Sequence, residues 1–315
     1  MINSYFELIR SGINTTYQDK GRENLYHIGI PHSGAMDNRN FLMANKLVNN
    51  NLNAPVLEFA YQGPHLKYKG DKISIAITGD VIFKIIKNGV ENTGNCYESY
   101  QIESGDEIDI ISTNKTIYGY LAIGGKIDIK YQWKSCSINT KAKIGSNNGK
   151  KLESNQTIKL LDLNSNKDKK KIYYINSKVE NIRVIKGTNF NYFSTAAQNK
   201  FFNQEFFVTK LADRMGIRLS GNKLENIVST NIKSEGLVRG VVQVPADGHP
   251  IIMLSDHGTI GGYPKIGVVI SADLDRVGQL TPGSTIKFKE VSLEEAQNIF
   301  KAYNENTNKY INECN

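Results

Sequence analysis

The stretch Lys72-Ile-Ser-Ile-Ala-Ile-Thr78, followed by Val81-Ile-Phe-Lys-Ile-Ile86, decides the fold class. Its β-branched residues occur in short runs of strand length, and the same pattern returns at residues 107–111 and 118–123. Lys87-Asn-Gly89 follows the second run and has the composition of a tight hairpin turn. The pattern predicts a mainly β protein, built as an antiparallel barrel or sandwich with few helices.

Three helices are expected from capping residues and helical spacing. The first begins after Asp37, which can cap the helix N-terminus, and the second covers about residues 195–203. The third begins at Ser292-Leu-Glu-Glu295, where Ser at the N-cap and Glu at N3 form a capping box. We expect this helix to end near residue 304 and the polar tail, residues 304–315, to fray.

Length and composition predict a folded globular protein with two domains or one large β-rich unit. The chain has 315 residues, of which 39% are hydrophobic and 22% charged. Residues 164–171 (NSNKDKKK) are polar, basic and without periodicity, so we predict a linker there. The predicted domains are therefore residues 1–163 and residues 172–315, the second including the C-terminal helix.

Charge and cysteine usage argue against several classes of function. The net charge of +8 comes mainly from scattered lysines, and no stripe of arginines and aromatic residues suggests nucleic-acid binding. No apolar run is long enough to span a bilayer, and the N-terminus lacks the order of a signal peptide. Three cysteines far apart in sequence fit a reducing compartment, and no metal site is expected. We expect a cytoplasmic protein that binds neither nucleic acid nor membrane.

The loop Asp256-His-Gly-Thr-Ile-Gly-Gly-Tyr-Pro-Lys265 carries the densest set of candidate site residues. Gly261 and Gly262 can adopt positive φ, so that successive amides converge on an anion beside Thr259, Tyr263 and Lys265. The alternative is a turn whose glycines only allow two strands to pack closely. Both interpretations remain open from the sequence.

Acidic and basic residues in and near this loop also have two interpretations each. Asp256 can act as a general base, as a metal ligand or as an anchor for loop amides. Arg214 can clamp a carboxylate or form a structural salt bridge, for example with Asp213. His257 can titrate near neutral pH, although isolated surface histidines are usually inert.

A second candidate loop contains Ser33 and Gly34. Ser33 follows His32, but the GxSxG elbow that activates a serine nucleophile is missing, so we predict anion binding here and no nucleophile. The chain also has no GxxxxGK[ST] and no GxGxxG after a strand, and therefore no standard cradle for ATP.

These loops carry a resemblance to a known family. The shared segments occur in order along nearly the whole chain, as follows: Ser33-Gly-Ala-Met-Asp37, Ala44-Asn-Lys-Leu-Val48, Leu57-Glu58 with Gly63-Pro64, Tyr120-Leu-Ala-Ile-Gly-Gly125, Asp213-Arg-Met-Gly-Ile-Arg-Leu219, Gln243-Val-Pro-Ala-Asp-Gly-His-Pro-Ile251, and Asp256 to Ile266. The chain resembles the family called allophanate hydrolase subunit 2, Kip inhibitor antagonist, the C subunit of 5-oxoprolinase, or the carboxyltransferase subdomains A and B of urea carboxylase.

The resemblance implies a cyclophilin-like β-barrel fold and a role as the C subunit of an ATP-dependent 5-oxoprolinase, which opens a lactam to glutamate. It also implies a small anionic substrate and ATP with a divalent cation, shared with two partner subunits, one Kip inhibitor-like (B) and one LamB/YcsF-like (A). We assign the candidate residues as follows: catalytic Asp256, Lys265 and Tyr263; substrate- or anion-binding Gly261, Gly262, Thr259, Ser33, Gly34 and Arg214.

Two other functions remain open within the resemblance. One is a carboxyltransferase component of a biotin-dependent enzyme, in which biotin is carried on another polypeptide because this chain lacks a biotinyl-lysine sequence. The other is a non-catalytic partner of a Kip-type kinase inhibitor. The chain also departs from the family pattern, because Tyr118, Cys136 and His257 stand where arginines are usual, which leaves the identity of the ligand open.

Overall fold

The computed structural model describes residues 4–174 and 181–314. The described residues form two compact units. The first contains residues 4–22, 33–174 and 307–314, and the second contains residues 23–32 and 181–306. Both units consist mainly of β-strands, which confirms the predicted fold class.

The first unit is built from two antiparallel sheets and one helix, α1 (Asn38–Leu47). The sheet orders are β11-β12-β1-β4-β9-β6-β7 and β2-β3-β10-β5-β8. The strands are β1 (Tyr5–Arg10), β2 (Thr16–Gln18), β3 (Val56–Ala60), β4 (His65–Lys69), β5 (Ile73–Thr78), β6 (Val81–Lys87), β7 (Val90–Thr93), β8 (Ser99–Ile102), β9 (Glu107–Thr113), β10 (Tyr118–Ile123), β11 (Gly125–Ile127) and β12 (Thr157–Leu163). A one-turn helix covers Asn147–Gly149.

Strand β5 shows how this unit buries both faces of one sheet. Ile73, Ile75 and Ile77 belong to a core cluster that takes residues from both sheets. The alternate side chains on β5 are small, and helix α1 packs on the sheet at β5 and β10. The Thr78 hydroxyl donates to the Asn40 carbonyl of α1 at 2.8 Å. Side chains that alternate in direction along a strand thus meet a sheet on one face and a helix on the other.

Local signals in the first unit are confirmed. The Asp37 carboxylate caps α1 by accepting from the Asn40 amide at 3.0 Å. Lys87 pairs with Val90 across the β6–β7 hairpin, and the two turn residues have φ of 49° and 77°. Two successive positive φ angles are typical of a type I′ turn, which matches the twist of the strands that it joins.

The second unit contains a closed barrel in the order β13-β20-β17-β18-β15-β14-β21. The β13–β21 pair is parallel, and a separate ribbon pairs β16 with β19. The strands are β13 (Asn181–Lys186), β14 (Phe206–Ala212), β15 (Gly216–Ser220), β16 (Glu235–Gly236), β17 (Val241–Gln243), β18 (Ile251–Met253), β19 (Ile260–Gly261), β20 (Lys265–Val269) and β21 (Thr285–Glu290). The helices are α2 (Thr195–Asn203), α3 (Leu274–Gly278) and the one-turn helices Tyr26–Ile28, Phe190–Tyr192 and Ser271–Asp273. The long helix α4 (Leu293–Asn312) belongs to this unit up to residue 306.

Helix α4 confirms the predicted start and corrects the predicted end. The Ser292 amide donates to Glu295 at 2.7 Å, and the Glu295 amide donates to the Ser292 hydroxyl at 3.1 Å, which is the capping box. The predicted end near residue 304 and the frayed tail are wrong, because the helix continues to Asn312. Thr307 and Ile311 are only 3% and 6% exposed, so burial of this stripe stabilises the last two turns.

The polar segment at residues 164–171 is bound along the first unit. The Asn166 amide donates to the Ser74 hydroxyl at 2.8 Å, and the Lys170 amide donates to the Ser99 hydroxyl at 2.7 Å. The units also differ from the predicted domains because residues 23–32 belong to the second unit and residues 307–314 to the first. Residues 175–180 of the predicted C-terminal domain lie outside the described residues. Among the described helices, none has the length and apolar character to cross a membrane.

Candidate functional site

The predicted site residues fall into two groups. Ser33 and Gly34 belong to the first unit. The second unit holds the other seven, which are Arg214, Asp256, Thr259, Gly261, Gly262, Tyr263 and Lys265. The assignment of these residues to catalysis or binding stays a prediction.

Arg214 and Asp256 form a buried ion pair in the second unit. The Arg214 Nε and Nη2 atoms donate to the two Asp256 carboxylate oxygens at 2.8 and 3.1 Å. The Asp256 amide also donates to the Arg214 carbonyl at 2.8 Å. The side chains are 7% and 3% exposed. This bidentate pair fastens the turn between β14 and β15 to the loop after β18. The partner of the Asp256 carboxylate is thus a guanidinium, whereas the anchoring role considered from the sequence used loop amides.

Gly261 and Gly262 lie on and beside the edge ribbon. Gly261 pairs with Glu235 in the β16–β19 ribbon, and neither glycine has a positive φ. A Cβ on Gly261 would lie 2.7 Å from the Gln243 Nε2 atom and 2.8 Å from Leu237 Cδ1. Close packing therefore explains Gly261, as in the alternative interpretation of the sequence, and the two residues do not form an anion-binding nest in this conformation.

Lys265 and Tyr263 differ sharply in exposure. Lys265 is 4% exposed, and its Nζ atom donates to Glu235 at 2.5 Å. The hydrogen bond from Lys265 lowers the pKa of Glu235, against a smaller effect of burial. The Tyr263 side chain is 40% exposed, while its carbonyl accepts from Gln243 at 3.1 Å. Tyr263 therefore presents a phenol to solvent from a loop whose backbone is fixed, whereas the Lys265 ammonium is already paired.

His257 is buried and is therefore not an isolated surface histidine, which was the inert alternative considered from the sequence. Its side chain is 1% exposed, and its Nε2 atom lies 3.2 Å from the Tyr26 hydroxyl. Tyr26 belongs to the segment of residues 23–32 that joins the second unit. No local sequence signal indicates this contact, because 231 positions separate the two residues.

The loop with Ser33 and Gly34 is held by a buried polar row in the first unit. Ser33 and Gly34 have φ of 58° and 80°, and Ser33 is 1% exposed. Just after them, the Met36 amide donates to Glu58 and the Asp37 amide donates to the Tyr120 hydroxyl, both at 2.7 Å. Glu58 and Tyr120 are directly opposite each other in the β3–β10 pair. These hydrogen bonds hold the end of the loop, in which Ser33 has a strained backbone conformation.

A second buried cluster in the first unit centres on Asp19, which the sequence analysis missed. The Asp19 carboxylate accepts from the hydroxyls of Ser135 and Ser137 at 2.6 Å each and from the Cys136 amide at 2.8 Å. Arg22, 2% exposed, donates to the Ser137 carbonyl. The Ala35 amide donates to the Asp19 carbonyl at 3.0 Å, so the cluster adjoins the Ser33 loop. The donors come from segments more than 110 positions apart, which no local pattern predicts.

Metal-binding side chains do not cluster in the part of the chain that the structure describes. No group of three or more His, Cys, Asp or Glu residues there has the arrangement of a metal site. A cleft of about 310 Å³ on the first unit has Asn51, Lys126 and Tyr131 in its lining. The predicted site residues do not line this cleft.

Comparison with protein-family models matches residues 28–290 to the carboxyltransferase domain, subdomains A and B. The chain belongs to this carboxyltransferase family. The match covers the barrel of the second unit and most of the first unit. The resemblance seen in the loop sequences is thereby confirmed.

Among relatives of this carboxyltransferase-family chain, the C subunit of 5-oxoprolinase from Escherichia coli strain K12 is 32% identical over 292 residues, which cover 92% of each protein. The C subunit of the Haemophilus influenzae 5-oxoprolinase is also 32% identical, over 90% of each protein. The crystal structure of the K. lactis urea amidolyase matches with a TM-score of 0.88 and 26% identity. That match covers 98% of this chain and 20% of the urea amidolyase chain.

Three positions, at which the sequence resemblance leads us to expect arginines, share one property. Tyr118, Cys136 and His257 are 4%, 0% and 1% exposed, respectively. Burial raises the pKa of the Cys136 thiol well above its usual range, and the nearby Asp19 carboxylate adds to this effect. All three side chains are therefore buried groups that are uncharged at neutral pH.

Proposed function

We propose that this chain is the C-type component of a cytoplasmic, ATP-dependent 5-oxoprolinase complex that hydrolyses the lactam of 5-oxoproline to glutamate. The observation that carries the proposal is the end-to-end match to the C subunit of the E. coli 5-oxoprolinase, which leaves little of either chain unmatched. The urea amidolyase, by contrast, is a much longer protein of which this chain matches one part.

The chain needs partners for this reaction. We propose that it assembles with a Kip inhibitor-like protein and a LamB/YcsF-like protein, the B and A components of the complex, and that the complex takes a small anionic substrate. The candidate anion residues of the second unit do not fit a phosphate cradle, because Gly261 is held in a ribbon and the Lys265 ammonium is bound to Glu235. ATP and its divalent cation would accordingly be held mainly by the A and B components.

Within this chain we propose a division of roles among the predicted residues. Tyr263, which is exposed on the loop after β19, contacts the substrate. Asp256, Arg214 and Lys265 act as positioning residues, since their charged groups are buried and paired. Buried, paired groups of this kind hold the loop in one conformation and so keep the substrate-contacting side chain in place.

A carboxyltransferase role in a biotin-dependent enzyme is the second candidate. The TM-score of 0.88 to the urea amidolyase structure over 98% of this chain favours it. In that case biotin arrives on another polypeptide, and urea or a related amide replaces 5-oxoproline as the substrate. A non-catalytic partner of a Kip-type inhibitor would bind the B component and show neither activity.

Co-expression of the chain with homologues of the A and B components tests these alternatives together. The purified complex is assayed for ADP release with 5-oxoproline and ATP, and separately for carboxyl transfer from a carboxybiotinylated carrier protein to urea. We expect activity only with 5-oxoproline. Activity only in the second arm would contradict the proposal and favour the carboxyltransferase role, whereas a stable complex that is inactive in both arms would favour the non-catalytic role.

A further inference from the structure

The contact between Tyr26 and His257 joins a partly exposed phenol to a buried imidazole within the second unit. The Tyr26 hydroxyl lies 3.2 Å from His257 Nε2, and the two rings meet edge to face with centroids 5.8 Å apart. His257 is 1% exposed, whereas Tyr26, on the one-turn helix Tyr26–Ile28, is partly exposed. Tyr26 is therefore the more exposed member of this pair.

The surroundings of His257 define its proton positions. Its Nδ1 atom lies 2.5 Å from the Gly258 carbonyl oxygen, which can only accept, so Nδ1 carries the hydrogen. In the neutral ring, Nε2 then has a lone pair that accepts from the Tyr26 hydroxyl. Burial lowers the pKa of His257 and keeps the ring neutral at pH 7. The Gly258 carbonyl and Asp256 oppose this effect, and Arg239 and His32 add to it.

Tyr26 is influenced by the same neighbours. Burial raises the pKa of its hydroxyl, and the positive charge of Arg239 lowers it. A cation beside a phenol stabilises the phenolate that forms when the phenol gives up its proton. The arrangement therefore combines a partly exposed acid with a neutral base that accepts its proton, which is the chemistry of a proton relay. Arg239 favours loss of the Tyr26 proton and disfavours the imidazolium form of His257.

We propose that Tyr26 and His257 form a proton-transfer pair for the hydrolytic reaction of the second unit. As a water molecule attacks the carbonyl carbon, its oxygen forms the new C–O bond, the π electron pair of the C=O bond moves to the carbonyl oxygen, and one water proton moves to the Tyr26 oxygen. The Tyr26 proton moves in the same step to His257 Nε2, which becomes imidazolium. When the electron pair on the oxygen re-forms the C=O bond, the C–N bond breaks and the relay reverses, so that the proton goes from Tyr26 to the leaving nitrogen and His257 returns to neutral.

This inference rests on the proposed function for its reaction, but its geometry belongs to this chain alone. A purely structural hydrogen bond would use the same lone pair on Nε2, but turnover would not depend on it. A proton-transfer pair therefore differs from a structural contact in one property, because its turnover depends on the protonation state of His257.

The test compares Tyr26→Phe, His257→Gln and the double variant with a His27→Gln control in the reconstituted complex. His27 neighbours Tyr26 on the same one-turn helix and is exposed. Each of the first three variants is expected to lower kcat by about 10²-fold with little change in KM, because a positioned acid–base group contributes this order of rate. The double variant should lose no more than either single variant, and His27→Gln should retain wild-type kcat.

The pH profile supplies a readout that a structural role would not move. Because the relay requires neutral His257, wild-type kcat should fall as the pH drops through the lowered pKa of this histidine, and His257→Gln should lose that acidic limb. An active wild-type complex whose Tyr26→Phe and His257→Gln variants keep both kcat and the acidic limb would overturn the pair.

Nitrogen-15 NMR of the isolated chain separates this inference from the proposed function. At pH 7 the His257 signals should show a neutral ring with hydrogen on Nδ1, and Tyr26→Phe should shift the Nε2 signal. Hydrogen on Nε2, or a protonated ring at pH 7, would overturn the pair whatever the activity. An inactive wild-type complex would instead contradict the proposed function, and the NMR result would then decide on the Tyr26–His257 pair by itself.

Discussion

Replacing Arg214 by methionine tests the claim that a buried ion pair holds the candidate loop of the second unit. Methionine keeps much of the aliphatic volume but leaves the Asp256 carboxylate, 3% exposed, without its two guanidinium hydrogen bonds of 2.8 and 3.1 Å. Removing one partner of a buried pair costs about 3–5 kcal/mol, because an uncompensated charge remains in the interior. At a urea m-value of about 2 kcal/mol/M, the unfolding midpoint should fall by about 1.5–2.5 M.

Arg218 provides the matched control on the same hairpin. It pairs with Asp247, but the two side chains are 27% and 43% exposed, so Arg218→Met should cost less than about 1 kcal/mol. Replacing both members of the buried pair, as Arg214→Met with Asp256→Leu, should recover part of the lost stability, since no unpaired charge remains.

Urea unfolding followed by circular dichroism gives the midpoints, and hydrogen exchange of peptides that contain β15 and β18 localises the effect to the second unit. The protein has one tryptophan, Trp133, which lies in the first unit. Tryptophan fluorescence therefore follows the unfolding of the first unit separately. A midpoint shift for Arg214→Met no larger than that for Arg218→Met would refute the stabilising role of the buried pair.

Three single contacts lead to further predictions. Gly261→Ala should destabilise the second unit by about 1–3 kcal/mol, because its Cβ would lie within 3 Å of Gln243 and Leu237, whereas Gly258→Ala, with its nearest neighbour at 3.5 Å, should be nearly neutral in the same urea assay. Burial raises the pKa of Glu98, but hydrogen bonds from Lys169 and Lys171 outweigh it and lower the pKa to about 2. The stabilisation from Glu98 is therefore present above pH 4.5 and lost as the pH falls toward 2. The difference in Tm between wild type and Glu98→Gln should shrink over this range. A constant difference would contradict the role of these hydrogen bonds. Ser292→Ala should cost about 1 kcal/mol through loss of the capping box of α4, measured by thermal unfolding, and an unchanged Tm would show that the box is not formed in solution.

The strands and helix starts could be predicted because their signals are local. Alternating isoleucines in β5, the Asn88-Gly89 turn and the Ser292–Glu295 box each act within a few residues. The end of α4 was missed because Asn304 and its neighbours are polar. The stripe of Ile299 and Tyr303 nevertheless continues four residues at a time through Thr307 and Ile311, and this periodicity was a usable signal.

The arrangement of the candidate site could be predicted only in part. The loop sequences identified the family, but the partners of the charged residues come from distant segments, as when Arg214 pairs with Asp256 and Lys265 with Glu235. Burial of these groups is a property of the assembled barrel. The sequence alone therefore could not decide whether Arg214 binds a carboxylate ligand or forms a structural salt bridge. The Tyr26–His257 contact and the Asp19 cluster had no local signal at all.

The central claim is that this chain is a necessary component of a 5-oxoprolinase, and the yield of glutamate per ADP tests it most directly. Glutamate and ADP are measured in mixtures of the A and B components, 5-oxoproline, ATP and Mg²⁺, with and without this chain. We predict equimolar glutamate and ADP only when the chain is present. Full turnover by the other two components without it, or release of ADP without glutamate in its presence, would contradict the claim.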